Sequence, residues 1–235
     1  MKSVDTFRTP DRELQRRPSL RTVEQTLNLK SAINIRYAEM APSCCSLSCG
    51  GALDHANVQK NETFVDLGSG RGNDVMKAAR KAGPEGFAYG IDFTEEMIQV
   101  AETNRNKLGL NNVKFINAAI DSIPLDDGIA DVVISNCTIN HAKNKSAVYA
   151  EIYRILKTGG RFIVSDVIAE KELPDDVKND PEAWAKCYGG SIVKEEYFTA
   201  IHKAGFSDIE VLELSDPYEK GGVMVQSITI RGVKS

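Results

Sequence analysis

The sequence predicts a doubly wound α/β fold, and three features lead to that expectation. From residue 62 onward, short apolar runs alternate with amphipathic stretches, the rhythm of strands and crossover helices around a mostly parallel sheet. The run Phe64-Val65-Asp66-Leu67-Gly68-Ser69-Gly70-Arg71-Gly72-Asn73-Asp74 reads as a buried strand that breaks into a glycine loop and opens a helix, which is where such a sheet binds ligands. The next apolar run ends in Gly90-Ile91-Asp92-Phe93, and a carboxylate there can accept hydrogen bonds from a ribose.

The elements follow in order. Residues 1–51 form a polar N-terminal region, expected to be a helical arm and a cysteine loop. Within it, residues 23–40 space Leu27, Leu29, Ile33 and Ile35 roughly as a helix does, predicting a helical cap, while the basic, proline-interrupted stretch 12–21 reads as a solvated arm. Residues 52–168 are expected to be the cofactor-binding core. Apolar runs at 63–67, 88–91, 113–116, 130–135 and 161–167 read as parallel strands buried on both faces. Helices are expected at 74–82, where Asn73 or Asp74 can cap, at 95–108 behind Thr94, and at 146–156, which 157–160 then stop. Residues 169–235 are expected to be a substrate-covering insertion plus the last strands of the same domain. The insertion is acidic and contains proline from 170 to 181, followed by Trp184, Cys187 and two glycines. A helix at 194–204, a strand at 208–214 and a final strand at 223–231, antiparallel to the others, complete the sheet.

At 235 residues the chain suits one α/β domain with a modest extension. Its net charge of -4 argues against nucleic acid as a partner and favours a small substrate. No apolar run approaches bilayer-spanning length, and Met1-Lys2-Ser3-Val4-Asp5-Thr6-Phe7-Arg8 leads into charged sequence. A cytoplasmic protein without a membrane partner is therefore expected. Its five cysteines are then mostly reduced and must act as core thiols, metal ligands or reactive groups.

A phosphate loop needs a Gly-Lys-Ser/Thr ending that Arg71-Gly72-Asn73 does not supply, and a dinucleotide fingerprint needs glycine where Asn73 stands. What remains, beside an ordinary tight strand-to-helix turn, is a cofactor with a ribose and no pyrophosphate. On these residues the chain resembles the seven-stranded, Rossmann-like S-adenosylmethionine (SAM) methyltransferases.

Three cysteine regions stand far apart in the chain. Cys44, Cys45 and Cys49 share a loop of small residues; Cys137 follows the fourth strand in Ile134-Ser135-Asn136-Cys137-Thr138-Ile139-Asn140-His141; and Cys187 lies in the covering insertion. Converging over one cofactor pocket, such thiolates would bind a soft, thiophilic centre, and trivalent arsenic is one. Cys137 and Cys187 read equally as core thiols, and the Cys44/Cys45/Cys49 cluster also admits zinc or an iron–sulfur cluster, although it lacks the two-residue spacing of zinc knuckles. His141 sits near the same strand end yet reads as readily as a surface histidine.

The segments Ser43-Cys44-Cys45, Asp66 to Asp74, Ser135-Asn136-Cys137 and Cys187-Tyr188-Gly189-Gly190 resemble the arsenite methyltransferase family. The resemblance implies that Cys137 and Cys187 bind arsenic(III) as the substrate, and that Cys44 or Cys45 joins in binding or in disulfide exchange. It assigns Asp66, Ser69, Met97 and Ala119 to the SAM site. Gly68, Gly70 and the Leu67 backbone would hold the methionine part, Asp92 the ribose hydroxyls, Phe93 and Ile120 the adenine, with Asn136 on the methyl-transfer side. It also implies arsenite or its thiol conjugate as substrate, and a thiol reductant such as thioredoxin or a small thiol as partner. A methyltransferase for a small organic acceptor (a quinone or thiol) and a thiol-based metal or redox sensor on the same fold are the alternatives.

Overall fold

The computed structural model describes residues 20–42 and 50–235, with side chains described from residue 28 onward. Helix α1 (Leu20–Met40) and the short α2 (Ala52–Ala56) precede the core. The core then runs β1 (Thr63–Leu67), α3 (Asn73–Ala82), β2 (Phe87–Asp92), α4 (Glu95–Lys107), β3 (Val113–Asn117), β4 (Ala130–Asn136), a 3-10 turn (Ile139–His141), α5 (Lys145–Ile155) and β5 (Leu156–Ala169). The remainder is α6 (Asp175–Lys178), α7 (Pro181–Ala185), α8 (Lys194–Lys203), β6 (Ile209–Leu214), β7 (Tyr218–Lys220) and β8 (Val223–Val233).

The strands form one sheet in the order β3-β2-β1-β4-β5-β8-β6, with β7 on β8. Pairings from β3 to β5 are parallel, whereas β8 runs antiparallel to β5, β6 and β7. The expected doubly wound sheet with an antiparallel last strand is therefore present. It has an eighth strand, β7, whose three residues are too short to show a period of two.

Each strand serves two faces. Val65 and Leu67 of β1, Val133 of β4 and Phe162 and Val164 of β5 face a cluster completed by α5 and α8. Phe64, Val132, Ile134 and Ile163, from the alternate positions, face α2, α3 and α4. This two-sided burial is why the strands read as continuous apolar runs. A third, smaller cluster joins Leu29 and Ile33 of α1 to Trp184 and Ala185 of α7, with Tyr37 and Phe93 packed against it.

Two local expectations are corrected, and a third holds. Ile35 is 56% exposed, because the buried stripe of α1 runs Leu29, Ile33, Tyr37 at four-residue intervals and leaves Ile35 on the outer face. Leu27 lies where side chains are not described. Helix α3 is capped by Gly72 in the left-handed conformation, with Asn73 and Asp74 already inside the helix and no side-chain cap bond. At Thr94 the cap position is as expected; its side chain makes no cap bond to the helix, and its N–H donates to Asp92 Oδ1 at 2.9 Å.

Candidate active site

The chain leaves β1 for β2 on one side and reaches β4 on the other only after β3, so the loops at the carboxyl ends of β1 and β4 diverge and open a cleft of about 370 Å³. One wall is the glycine loop. The N–H groups of Gly68 and Ser69 both donate to the Ile91 carbonyl, at 2.8 and 3.0 Å, folding the loop over the end of β2. Gly68 has φ +78, and a Cβ there would overlap the Thr138 side chain, so the loop after β4 packs directly on glycine backbone.

Gly70 has φ +51, and its N–H donates to Asp92 Oδ2 at 2.9 Å, while Asp92 Oδ1 accepts the Thr94 N–H at 2.9 Å. Burial raises the Asp92 pKa, and the N–H donors of Thr94 and Gly70 oppose it. Each carboxylate oxygen thus keeps accepting capacity. Asp66 beside it is pushed well above the carboxylate range, by burial first and then by the charges of Asp74 and Asp92.

Three observations fit this wall to a ribose-bearing, cationic cofactor. The Ser69 hydroxyl is buried with no hydrogen-bond partner. A Cβ on Gly70 would meet nothing nearer than Met97 Sδ at 4.0 Å. Asp74 and Asp92, acidic groups that favour a cation, line the cleft.

Gly68, Ser69, Phe93, Met97, Ala119, Ile120 and Asn136 line the cleft with Asp66, Gly70 and Asp92. Leu67 does not. Its side chain is fully buried in the core, and its carbonyl accepts the Ser135 hydroxyl at 3.0 Å. The strand's period of two turns Leu67 inward while its neighbours Asp66 and Gly68 meet the cleft.

Cys137 and Cys187 line the same cleft, although they are 8% and 7% exposed. Both hold left-handed backbone, with φ +57 and +67, a conformation uncommon in non-glycine residues and concentrated at ligand clamps. The Cys137 N–H is held by the Ser165 carbonyl at 2.8 Å and the Cys187 N–H by the Trp184 carbonyl at 3.0 Å.

Cys187 Sγ lies 3.2 Å from His141 Nε2 and 3.3 Å from the Tyr37 hydroxyl, and the Tyr37 ring meets His141 edge-on at 5.5 Å. Burial, followed by Cys187, raises the Tyr37 pKa and keeps the phenol protonated. Burial, followed by the charges of Lys145, Arg36 and Lys220, holds His141 down at about 4, so its ring is neutral near pH 7. His141 therefore lines the cleft beside a thiol and is no surface residue.

Tyr37 is a site residue that the sequence reading missed. The four-residue spacing from Leu29 through Ile33 was the signal available for it.

Cys44, Cys45 and Cys49 lie outside the described residues. The chain is next described at Gly50 and Gly51, which line the cleft. A Cβ on Gly50 would meet Ser165 Cβ at 2.5 Å and Asn136 Oδ1 at 2.6 Å, and the Ala52 N–H donates to Asn136 Oδ1 at 3.2 Å. Among the described residues no three His, Cys, Asp or Glu side chains group to hold a metal ion, and no helix is long and apolar enough to cross a membrane.

A family model described as a methyltransferase domain matches residues 58–205. The chain belongs to the SAM-dependent methyltransferases, and S-adenosyl-L-methionine is its cofactor. Among curated proteins it is similar to the arsenite methyltransferase of Halobacterium salinarum, 39% identical over 70% of this chain and 42% of that protein. Among solved structures it is similar to an arsenic(III) SAM methyltransferase from Chlamydomonas reinhardtii, with 28% identity, a TM-score of 0.68, and coverage of 88% of this chain and 73% of that one. A demethylmenaquinone methyltransferase from a Geobacillus strain is 33% identical over 47% of each chain. The chain thus spans less than half the length of the curated relatives it matches.

Proposed function

We propose that this protein methylates trivalent arsenic held by the thiolates of Cys137 and Cys187. The observation that carries the reading is that these two cysteines, fifty positions apart, both stand in left-handed backbone and both line the cleft shared by Asp92 and Gly70. When bound, the cofactor supplies an electrophilic methyl group on a positively charged sulfur. Gly68, Ser69, Gly70 and Asp92 hold its polar parts, Phe93, Met97 and Ile120 line the apolar part of the cleft, and Asn136 stands beside Cys137.

Two thiolates hold arsenic(III) with its lone pair free, so the nucleophile carries no proton and no general base is needed. The arsenic–carbon bond forms as the sulfur–methyl bond breaks, and arsenic rises formally from the trivalent to the pentavalent state. Two electrons from a thiol reductant return it, from the dithiol of thioredoxin or from two molecules of a small thiol, which leave as a disulfide. Cys44 or Cys45 is the third thiol of this reading. Catalysis is then mostly alignment, which supplies on the order of 7–11 kcal/mol for well-placed reactants. A cytoplasmic setting, where thiols stay reduced, suits this chemistry.

Incubation of reduced protein with SAM, arsenite and excess thiol should yield methylarsenicals in proportion to S-adenosylhomocysteine. Cys137→Ala and Cys187→Ala should each abolish the product without loss of SAM binding. A second reading, methylation of a small organic acceptor, is favoured by the likeness to the demethylmenaquinone enzyme. S-adenosylhomocysteine formed with a quinone acceptor and unaffected by either cysteine variant would support it and sink the arsenic reading.

A further inference from the structure

β5 runs beneath both cysteine loops. Its Ser165 carbonyl takes the Cys137 N–H at 2.8 Å, the Asp166 carboxylate takes the Asn140 backbone N–H, and the Val167 carbonyl takes the Asn140 side-chain N–H at 2.6 Å. The same Asn140 amide reaches across to the Cys187 carbonyl at 3.5 Å. Lys145, 6% exposed at the start of α5, donates to the Gly190 carbonyl at 2.6 Å and to the Ala142 carbonyl at 3.4 Å. The opposite charge of Asp166 acts on it from within the same buried layer. Tyr197 closes the far side, donating to Asp166 Oδ2 at 3.0 Å and accepting the Tyr149 hydroxyl at 3.1 Å. The two loops also touch directly, since a Cβ on Gly190 would overlap the Asn140 carbonyl oxygen.

Asn140, Lys145 and Asp166 do not line the cleft, so none of them meets substrate there. We propose that these three residues form a positioning hub that fixes the Cys187 loop against the Cys137 loop and so sets the separation of the two thiols. The inference rests on the reading of those thiols as a pair of arsenic ligands. Its physical reason is twofold. Two sulfurs can chelate one atom only at a fixed spacing, and left-handed cysteines persist only where their surroundings over-determine them. A buried lysine and carboxylate are also not required for stability, since apolar residues of similar volume often serve as well or better. Their placement against both loops calls for another role.

The test uses the full chain with Cys44, Cys45 and Cys49 changed to Ser, so that Cys137 and Cys187 are the only thiols. The probe is phenylarsine oxide, which condenses with two thiols and releases water. The parent should bind one equivalent and lose both reactive thiols; if it does not, the arsenic reading of the pair fails before the hub is tested. Lys145→Met should weaken that binding about 10–100-fold, as loss of a partner supporting a ligand group does, with SAM affinity and the count of two reactive thiols unchanged. Asn140→Ser, which removes only the amide that bridges the loops, should act in the same direction and serves if Lys145→Met fails to fold. Wild-type affinity for phenylarsine oxide in either folded variant would overturn the hub.

Discussion

Cys137 and Cys187 occupy backbone conformations that glycine adopts freely, and the glycines around them are small for steric reasons that can be tested. Gly190 lies against the Asn140 carbonyl oxygen and within 2.9 Å of Trp184 Cζ3 for any added Cβ. Gly190→Ala should therefore destabilise the fold by about 1–3 kcal/mol, the range for overpacking, and reduce the proposed arsenite methylation more than SAM affinity. Thermal unfolding beside calorimetric SAM titration would check this. Asp92 presents the complementary case. Both its oxygens accept backbone N–H bonds, so Asp92→Asn turns an amide NH₂ toward the N–H of either Gly70 or Thr94. SAM affinity should fall by about 1–3 kcal/mol, the cost of unsatisfied buried groups, while phenylarsine oxide binding is retained. Equal loss of both affinities would show that Asp92 supports the whole cleft and not the cofactor wall alone.

Helix α1 contributes through a cluster separate from the two sheet faces. Leu29 and Ile33 pack on Trp184 and Ala185 of α7, and the next residue on that stripe, Tyr37, reaches Cys187. The cap is thus pinned by apolar contacts and aimed by one hydroxyl. Ile33→Ala should loosen it by about 2–5 kcal/mol, the range for truncating a buried Ile, and admit protease or hydrogen exchange within α1. Melting of the sheet should change little, because its faces are packed by α2 to α5 and α8. Simultaneous loss of cap and core in one transition would contradict that separation.

Two groups of the molecule, half-buried His141 and buried Asp166, pull its acid stability in opposite directions. His141 is lowered to about 4 from 6.5, so between those values the unfolded chain binds a proton that the folded protein refuses, and stability falls as pH drops through the window. Asp166 is raised to about 6 from 3.8 by burial, against Lys145 and its hydrogen bonds, so here the folded state binds the extra proton and stability rises as pH drops from about 6. His141→Gln removes the first effect and leaves the second. The melting temperature of the variant relative to wild type should therefore climb between pH 6.5 and pH 4, as scanning calorimetry across that range would record. A constant difference would mean that His141 titrates normally in the folded protein.

The strands of the core, the glycine loop, Asp92 at the end of β2 and Cys137 at the end of β4 were all legible in the sequence. Apolar runs, glycine spacing and the residues at strand ends are local properties, and a doubly wound sheet always collects its strand ends on one edge. Helix α1 was legible as a helix, but its buried face was misjudged at Ile35. The three-residue β7 and the five-residue α2 are too short to carry a period. The inward turn of Leu67, the contacts of Tyr37 and His141 with Cys187, and the burial of Lys145 beside Asp166 came only with the tertiary structure. Tyr37 and Cys187 are 150 positions apart, and His141 and Cys187 are 46 apart. Local pattern says which residues want to be buried, but only the packing of distant segments decides what a thiol, imidazole or lysine finds beside it.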